Sequence, residues 1–386
     1  MTQLAPETSR LWPRVREAAV AFLRLGFVAF GGPAAHIAMM EDEFVCRREW
    51  LKRERFLDMV GAVSLLPGPS STELAIYLGQ MRAGIAGLIA TGVSFILPAA
   101  LLTAGLAWAY VRYGSVPQVA GVLFGVKPVV VALIAQAVWS LARSALKSKE
   151  LAFLAVLVVI LAALGVSAIP LLLGTGVAWI VAQRQAGPRM GALTVASAAA
   201  PAAAASTTAG ITTVSVLLYF LKIGAVLVGS GYVLLAVLRA DLVVRLHWLT
   251  EAQLLDAIAV SQATPGPFFT VATFVGYVLG GWKGAALATL GMFLPAFVYV
   301  AVTAQFLPRL RNSPAGSAFL DGVNAAAVAL MAFVGFQFAR TTLISVPAIA
   351  IGVLCALLLF RYRINSAWLV FLGAAAGIAL KTLHLA

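Results

Sequence analysis

The stretch "LLPGPSSTELAIYLG", residues 65–79, sets two prolines, a glycine, three hydroxyls and a carboxylate side by side in a chain that is otherwise 62% hydrophobic. Pro67 and Pro69 lack backbone N–H groups and push the residues before them out of helical geometry, so the apolar segment over 59–66 must end at the PGP. A second helix can begin at once, since "SST" offers N-cap oxygens, Glu73 falls in the first turn and "LAIYLG" continues an apolar face. The pattern predicts a helix interrupted inside a membrane, with polar groups gathered at the interruption.

Composition supplies the membrane. The 386 residues have a mean hydropathy of +0.99 and only 11% charged side chains, and apolar runs such as 85–111 and 151–164 exceed what a soluble core of this size could bury. At roughly 20 residues per crossing these runs allow about ten to twelve membrane elements. They do not alternate as barrel strands would, so the fold class is an all-α polytopic membrane protein. Arg10, Arg14 and Arg16 precede an apolar segment that contains Arg24 and has no small-x-small cleavage site, so no removable signal peptide is expected. Cys46, Cys355 and three scattered histidines form neither a disulfide framework nor a metal site, and no cofactor motif or nucleophile–base pair stands out. The net charge of +13 falls largely in short loops, which indicates anchoring against anionic lipid in place of nucleic-acid binding.

The chain is written twice. A shift of 198 residues aligns "FLRLGFVAFGG" (22–32) with "FLKIGAVLVGS" (220–230), Trp50-Leu51 with Trp248-Leu249, Asp58 with Asp256 and the PGP of 67–69 with that of 265–267, giving 16 identities in 51 ungapped positions. At a shift of 197 the match continues through Gly79 and Gly276, "LPA" 97–99 and 294–296, and Gly125 and Gly322. Repeated Pro, Gly, Trp and Asp at constant offset require an internal repeat. The expected organisation is an N-terminal cytoplasmic segment (1–17), a first repeat (18–186), an Ala/Ser/Pro linker (187–210) and a second repeat (211–386). Loops at 41–58, 82 and 143–149 carry nine Lys/Arg against one in the alternate loops of the first half, whereas the second half is balanced at four and four. That shift favours inverted repeats, although a parallel repeat would need only an even number of crossings per half.

Each copy also carries a glycine break, "AFGGPAAHIAMM" in the first and "LVGSGYVLLAVL" in the second. Such breaks free backbone groups that lipid cannot satisfy, and the helix ends they create present N–H groups and positive dipoles suited to anions. Arg24 and Lys222 stand at equivalent positions just before the glycine breaks, and Lys127 interrupts "GVKPVVVAL". Cations inside apolar segments are expensive unless used, so together they suggest a polyvalent anion; snorkelling, or pairing with Glu73, is the bland alternative. Glu73 reads equally as a capping-box carboxylate or as a proton carrier exchanged against the anion. His36 reads first as a satisfied packing residue and second as a proton relay, which the normal titration range of histidine allows. The loop 41–58, with 11 charges in 18 residues, reads as a surface helix self-paired through Glu43–Arg47 and Glu49–Arg53.

"FGGPAAHIAMMEDEFVCRREWL", "LPGPSSTELAIYLG", "GSGYVLLAVLRADLVVRLHWLT" and "TPGPFFTVATFVGY" together resemble the signature blocks of the chromate ion transporter family in its long, two-domain form. The resemblance covers roughly 20–184 and 215–385. It implies a bacterial inner-membrane exporter of chromate, driven by membrane potential or proton gradient, with sulfate as the close analogue. The matching positions are Gly31, Gly32, Pro33, His36, Arg48, Trp50, Asp58, Pro67, Gly68, Pro69, Ser71 and Thr72, then Gly229, Gly231, Tyr232, Trp248, Asp256, Thr264, Pro265, Gly266 and Pro267. Where a "GGG" is expected in the second copy this chain has "GSG", a small-for-small exchange. With Ser70, Arg24, Lys127 and Lys222 added, these GGP and PGP residues form the expected oxyanion site, and Glu73 the proton-coupling candidate. The expected partners are the oxyanion and the lipid bilayer, with no nucleic acid; homodimer formation is left open. The rival readings are a transporter of sulfate or another oxyanion, and an intramembrane enzyme, which would need an acid/base constellation at a membrane face.

Overall fold

A computed structural model describes residues 8–30, 32–64, 66–114, 116–185, 212–228, 231, 233–303, 314–362, 364 and 366–383; the expected linker 187–210 lies outside them. The first copy comprises α1 (Thr8–Val28), α2 (Gly32–Glu41), a π-helical turn (Asp42–Arg47), α3 (Arg53–Val63), α4 (Ser70–Tyr113), α5 (Pro117–Ala145), α6 (Lys149–Ala163) and α7 (Ala168–Gln185). The second repeats that order as α8 (Thr213–Val226), α9 (Val233–Leu238), a π-helical turn (Arg239–Arg245), α10 (Glu251–Ala263), a 3₁₀ turn (Phe268–Thr270) and α11 (Val271–Thr303). It closes with α12 (Pro314–Thr342), α13 (Val346–Leu357) and α14 (Ser366–Thr382). Against the ten to twelve membrane elements expected, four of the described helices are long and apolar enough to cross a membrane, within Ser70–Tyr113, Val119–Ala145, Phe268–Thr303 and Ala315–Thr342, and four shorter apolar helices accompany them.

Gly84 has φ 60 and ψ −150, a conformation reserved for glycine, and Gly281 repeats it in α11. At each the helix reverses. The Thr91 hydroxyl donates to the Ala75 carbonyl oxygen at 3.0 Å across the reversal, and the Thr273 and Thr289 hydroxyls meet at 2.7 Å in the second copy. Thus α4 is a short arm (70–82) folded against a long arm (85–113) of about 40 Å at 1.5 Å per residue, enough to cross a bilayer. Ile85, Ile89, Val93, Leu97 and Leu101 recur every fourth residue along the long arm and are all exposed, which is the stripe that meets lipid.

The arms before α4 are re-entrant. Arg82, at the end of the short arm, lies 2.7 Å from Glu17 of α1, and its guanidinium sits 5.1 Å over the Trp50 ring. Arg48 also reaches Glu17, at 3.4 Å. Residues 17, 48, 50 and 82 therefore share one face, here the near face. From it α1 descends to the break at 29–30 and α2 returns; α3 descends to the PGP and the short arm returns. Both tips end inside the apolar layer.

The long arm then runs to the opposite, far face, where the Tyr110 ring lies 5.1 Å from Phe274 of the second copy's short arm. That arm starts beside Thr103, whose hydroxyl is 3.4 Å from Thr270, and climbs with the long arm toward the far face. Equivalent reversals at 83–84 and 280–281 thus lie on opposite faces, and the two copies are inverted about an axis in the membrane plane. The charge of the second half, which moves toward reversal without reaching it, had favoured this arrangement. The last helices are exchanged between copies: a Cβ on Gly121 of α5 would lie 3.2 Å from the Gly377 carbonyl oxygen of α14, and one on Gly322 of α12 would lie 2.6 Å from the Thr175 carbonyl oxygen of α7.

The stretch 41–58 is not one self-paired surface helix. A π turn and a bend divide it, so Arg53 pairs with Glu41 at 2.7 Å in place of Glu49, and Arg48 takes Glu43 at 2.6 Å, with Arg47 only at 4.0 Å from Glu43. Inversion predicts that Cys46, exposed at the near face, and a cysteine at Lys283, beyond the second reversal, react with membrane-impermeant maleimide from opposite sides in a Cys355→Ser background. Labelling of both from one side would contradict it.

Candidate functional site

Four helix interruptions meet at the centre. The Gly68 N–H donates to the Leu227 carbonyl oxygen at 2.8 Å, and the Gly266 N–H donates to the Ala29 carbonyl oxygen at 2.7 Å. Each PGP turn is thereby bonded to the break of the other copy, through residues related by the 198-residue shift. The reason is local. Both prolines flanking each glycine lack N–H groups, the breaks end helices and free their last carbonyls, and lipid offers no alternative partner. Gly68 and Gly266 hold φ of 134 and 90, which a side chain would strain.

In the first copy His36 joins the two tips. With Nε2 protonated it donates to the Ala29 carbonyl oxygen at 3.1 Å while Nδ1 accepts from Ser71 Oγ at 3.3 Å, and its ring stands edge-on to Phe95. Both ring nitrogens of His36 thus have partners in the described structure. The hydroxyls of "SST" do not cap α4, whose N-cap is Pro69 with no side-chain bond; the Thr72 and Glu73 N–H groups turn to the Pro69 carbonyl oxygen instead. The PGP turn itself closes the helix end, which frees the side chains. Ser70 lies half-buried at that start, while Thr72 Oγ1 and both carboxylate oxygens of Glu73 are buried without a hydrogen-bond partner. Glu73 is therefore not a capping-box residue: its carboxylate lies over the PGP, where a Cβ on Gly68 would come 2.7 Å from Oε1.

The second tip is less apolar than "PGPFFTV" suggests. Phe268 and Phe269 are buried, but Thr264 and Thr270 gather around Thr103 of the first copy, each at 3.4 Å. Thr103 stands alone in an apolar run, so no local pattern marked it. A Cβ on Gly231 would lie 2.8 Å from Phe269, which ties the second break to the same cluster. Pro33 opens α2, and Pro67, Pro69, Pro265 and Pro267 frame the two turns; Gly31, Gly229 and Tyr232 lie outside the described residues.

The three cations are not gathered at the tips. The buried stripe of α1 is Ala18, Ala21, Phe22 and Leu25, continued by Ala29 just past its end, and that of α8 is Val216, Tyr219, Phe220 and Ile223, continued by Leu227. Arg24 and Lys222 fall off these stripes and are exposed. Lys127 instead occupies a cleft of about 850 Å³ at the far face, between the two copies. Its Nζ lies 3.2 Å from Asp256 Oδ1, and the Tyr110 hydroxyl donates to Asp256 Oδ2 at 3.0 Å.

The near face carries a charged network in place of that cleft's triad. Glu17 accepts from Arg82 at 2.7 Å and from Trp50 at 3.2 Å, with Arg48 at 3.4 Å. The equivalent positions in the second copy are Ser215, Leu279, Trp248 and Leu246, which cannot form that network. Burial alone would raise the Glu17 carboxyl, but hydrogen bonds from Arg82 and Trp50, then the charges of Arg82 and Arg48, outweigh it and hold Glu17 below the usual carboxylate range.

A family model described as "Chromate transporter" matches residues 16–182 and again 214–378. The chain is 36% identical to a "Chromate transport protein" of Pseudomonas aeruginosa over 93% of this chain and 90% of that one. It is 32% identical to a "Chromate transport protein" of Cupriavidus metallidurans over 94% and 92%, and 28% identical to a "Probable chromate transport protein" of Synechococcus elongatus over 92% and 93%. No solved structure matches it.

Two outcomes follow from this geometry. Gly266→Ala would place a Cβ 2.6 Å from the Ala99 Cβ at a φ of 90, so the melting temperature should fall, with a cost of about 1–3 kcal/mol, whereas Gly105→Ala, which meets open space, should cost nothing comparable. Because the folded-state pKa of Glu17 is depressed, its network stabilises the near face above the ordinary carboxylate pKa and loses that contribution as pH falls through the folded-state value. Amide exchange of α1 should therefore rise on acidification in the parent chain and be less pH-dependent in Glu17→Gln.

Proposed function

Because the chain belongs to the chromate transporter family, we propose that it is a secondary transporter that exports chromate across the bacterial inner membrane and so confers chromate resistance. In this reading the near face, which carries the basic loops of the first half, is cytoplasmic. Transport is driven by the membrane potential or the proton gradient, and the two inverted halves rock about the crossed tips to expose the substrate path alternately.

One observation carries the reading: four helix interruptions, lined by Ser71, Thr72, Thr264 and Thr270 and holding an unpartnered Glu73, converge inside an apolar fold. Lone carboxylates at that depth are expensive and therefore mark ion pathways. Glu73 takes a proton on one side and releases it on the other, while hydroxyls and helix N-termini accept the tetrahedral dianion as it passes. Sulfate offers the same two charges on four oxygens, so it competes for the same path.

Energised inverted membrane vesicles containing the protein should accumulate radiolabelled chromate, and excess unlabelled sulfate should slow the uptake; vesicles that accumulate none would end the export assignment. Glu73→Gln should abolish the dependence of uptake on the pH gradient while leaving the chain folded, since the amide keeps the size of the carboxyl and cannot carry the proton. Retained pH coupling in that variant would exclude Glu73 as the proton carrier.

A further inference from the structure

The far-face cleft assembles groups that the crossed tips do not use. Lys127 comes from α5 and Tyr110 from the long arm of the first copy; Gln253 and Asp256 come from α10, Thr342 and Ser345 from the end of α12 and the start of α13, and Lys381 from α14. Lys127 Nζ lies 3.2 Å from Asp256 Oδ1, and with three rotatable N–H groups the ammonium can serve a second acceptor on the cleft side. The Lys127 side chain is 23% exposed to the cleft, whereas Asp256 is 4% exposed and anchored from behind by Tyr110.

The remaining groups are donors. Thr342 Oγ1 is buried with no partner. Ser345 Oγ accepts from the Ala348 N–H as the N-cap of α13, which leaves its own hydrogen to donate beside the positive end of that helix. Gln253 Oε1 is occupied by the Thr250 N–H, which leaves the amide Nε2 to donate. Two ammonium groups, two hydroxyls and an amide around one carboxylate form a site short of negative charge once Lys127 turns away from Asp256.

We propose that this cleft is a distinct oxyanion station at the far-face mouth of the transport path, where a tetrahedral dianion such as chromate or sulfate binds between Lys127 and Lys381 and takes Lys127 from Asp256. The proposal rests on the oxyanion reading above and adds a second place where the anion dwells. It also gives binding a mechanical effect. Lys127 and Tyr110 belong to one copy and Asp256 to the other, so the triad clasps the two halves together at the far face, and an incoming dianion competes for half of that clasp. The inverted counterpart on the near face is not equivalent, since Asn324 stands where Lys127 repeats and Ala145 where Thr342 repeats.

The test is equilibrium binding of chromate and of sulfate to the purified full chain in lipid nanodiscs. Lys127→Gln should weaken binding of the bound anion about tenfold or more, as expected for a lost charged donor, and Lys381→Gln, which breaks no described ion pair, should weaken it about threefold. Asp256→Asn removes the competitor while keeping an acceptor for Tyr110, and should tighten binding several-fold. These opposite signs separate a ligand site from a structural ion pair, whose loss on either side would weaken binding alike; a single cooperative melting transition above the assay temperature establishes that each variant is folded. Binding that Lys127→Gln leaves unchanged, or that Asp256→Asn weakens, overturns the station even if chromate is transported. Sulfate binding with the predicted signs and no chromate binding or uptake leaves the station standing and overturns the chromate assignment.

Discussion

Two backbone hydrogen bonds, from Gly68 to Leu227 and from Gly266 to Ala29, are the constraint around which the molecule is arranged. A helix broken in the middle of a membrane leaves peptide groups with nothing to bond, and each unsatisfied group costs several kcal/mol. Each PGP turn has two prolines in place of donors, and the one donor between them, the glycine N–H, bonds across to the other copy. The two copies are thus joined at their turns: one half alone would leave the Gly68 or the Gly266 N–H without that acceptor, although His36 also serves the Ala29 carbonyl oxygen from within the first copy.

The rest follows from holding four tips at one depth. Hairpins of short arms reach the centre from both faces, the long arms of α4 and α11 supply the crossings, and the terminal helices α7 and α14 change sides to cover the opposite copy through glycine contacts. Small residues are needed at these crossings because lipid gives no hydrophobic drive, so stability comes from close approach of backbones.

On this symmetric frame the side chains are asymmetric. The near face is tied by Glu17, Arg82, Arg48 and Trp50, whereas the far face opens into the cleft of Lys127 and Asp256. Carboxylate and imidazole occur at the first pair of tips, and a cluster of three threonines at the second. Inverted repeats give two related end states, and unequal side chains make them unequal in energy and ligand contact.

The helical class, the duplication and the places where helices must break were all legible in the amino-acid sequence, because proline, glycine and tryptophan at a fixed offset act locally and need no knowledge of neighbours. The polar character of "PGPSSTE" was legible for the same reason. What those side chains bond to was not: the turn capped itself, so Ser71 went to His36 and Glu73 was left alone, an outcome set by packing beyond the segment. Arg24, Lys222 and Lys127 looked alike as charges in apolar runs, yet a few residues' difference in helical phase exposes the first two and turns the third toward a carboxylate more than a hundred residues away. Asp256 and Thr103 likewise gained their roles only when the inverted copies crossed. Direction through the membrane and partnership between halves were decided by tertiary structure, because hydrophobic periodicity records that a face is buried and not which distant chain covers it.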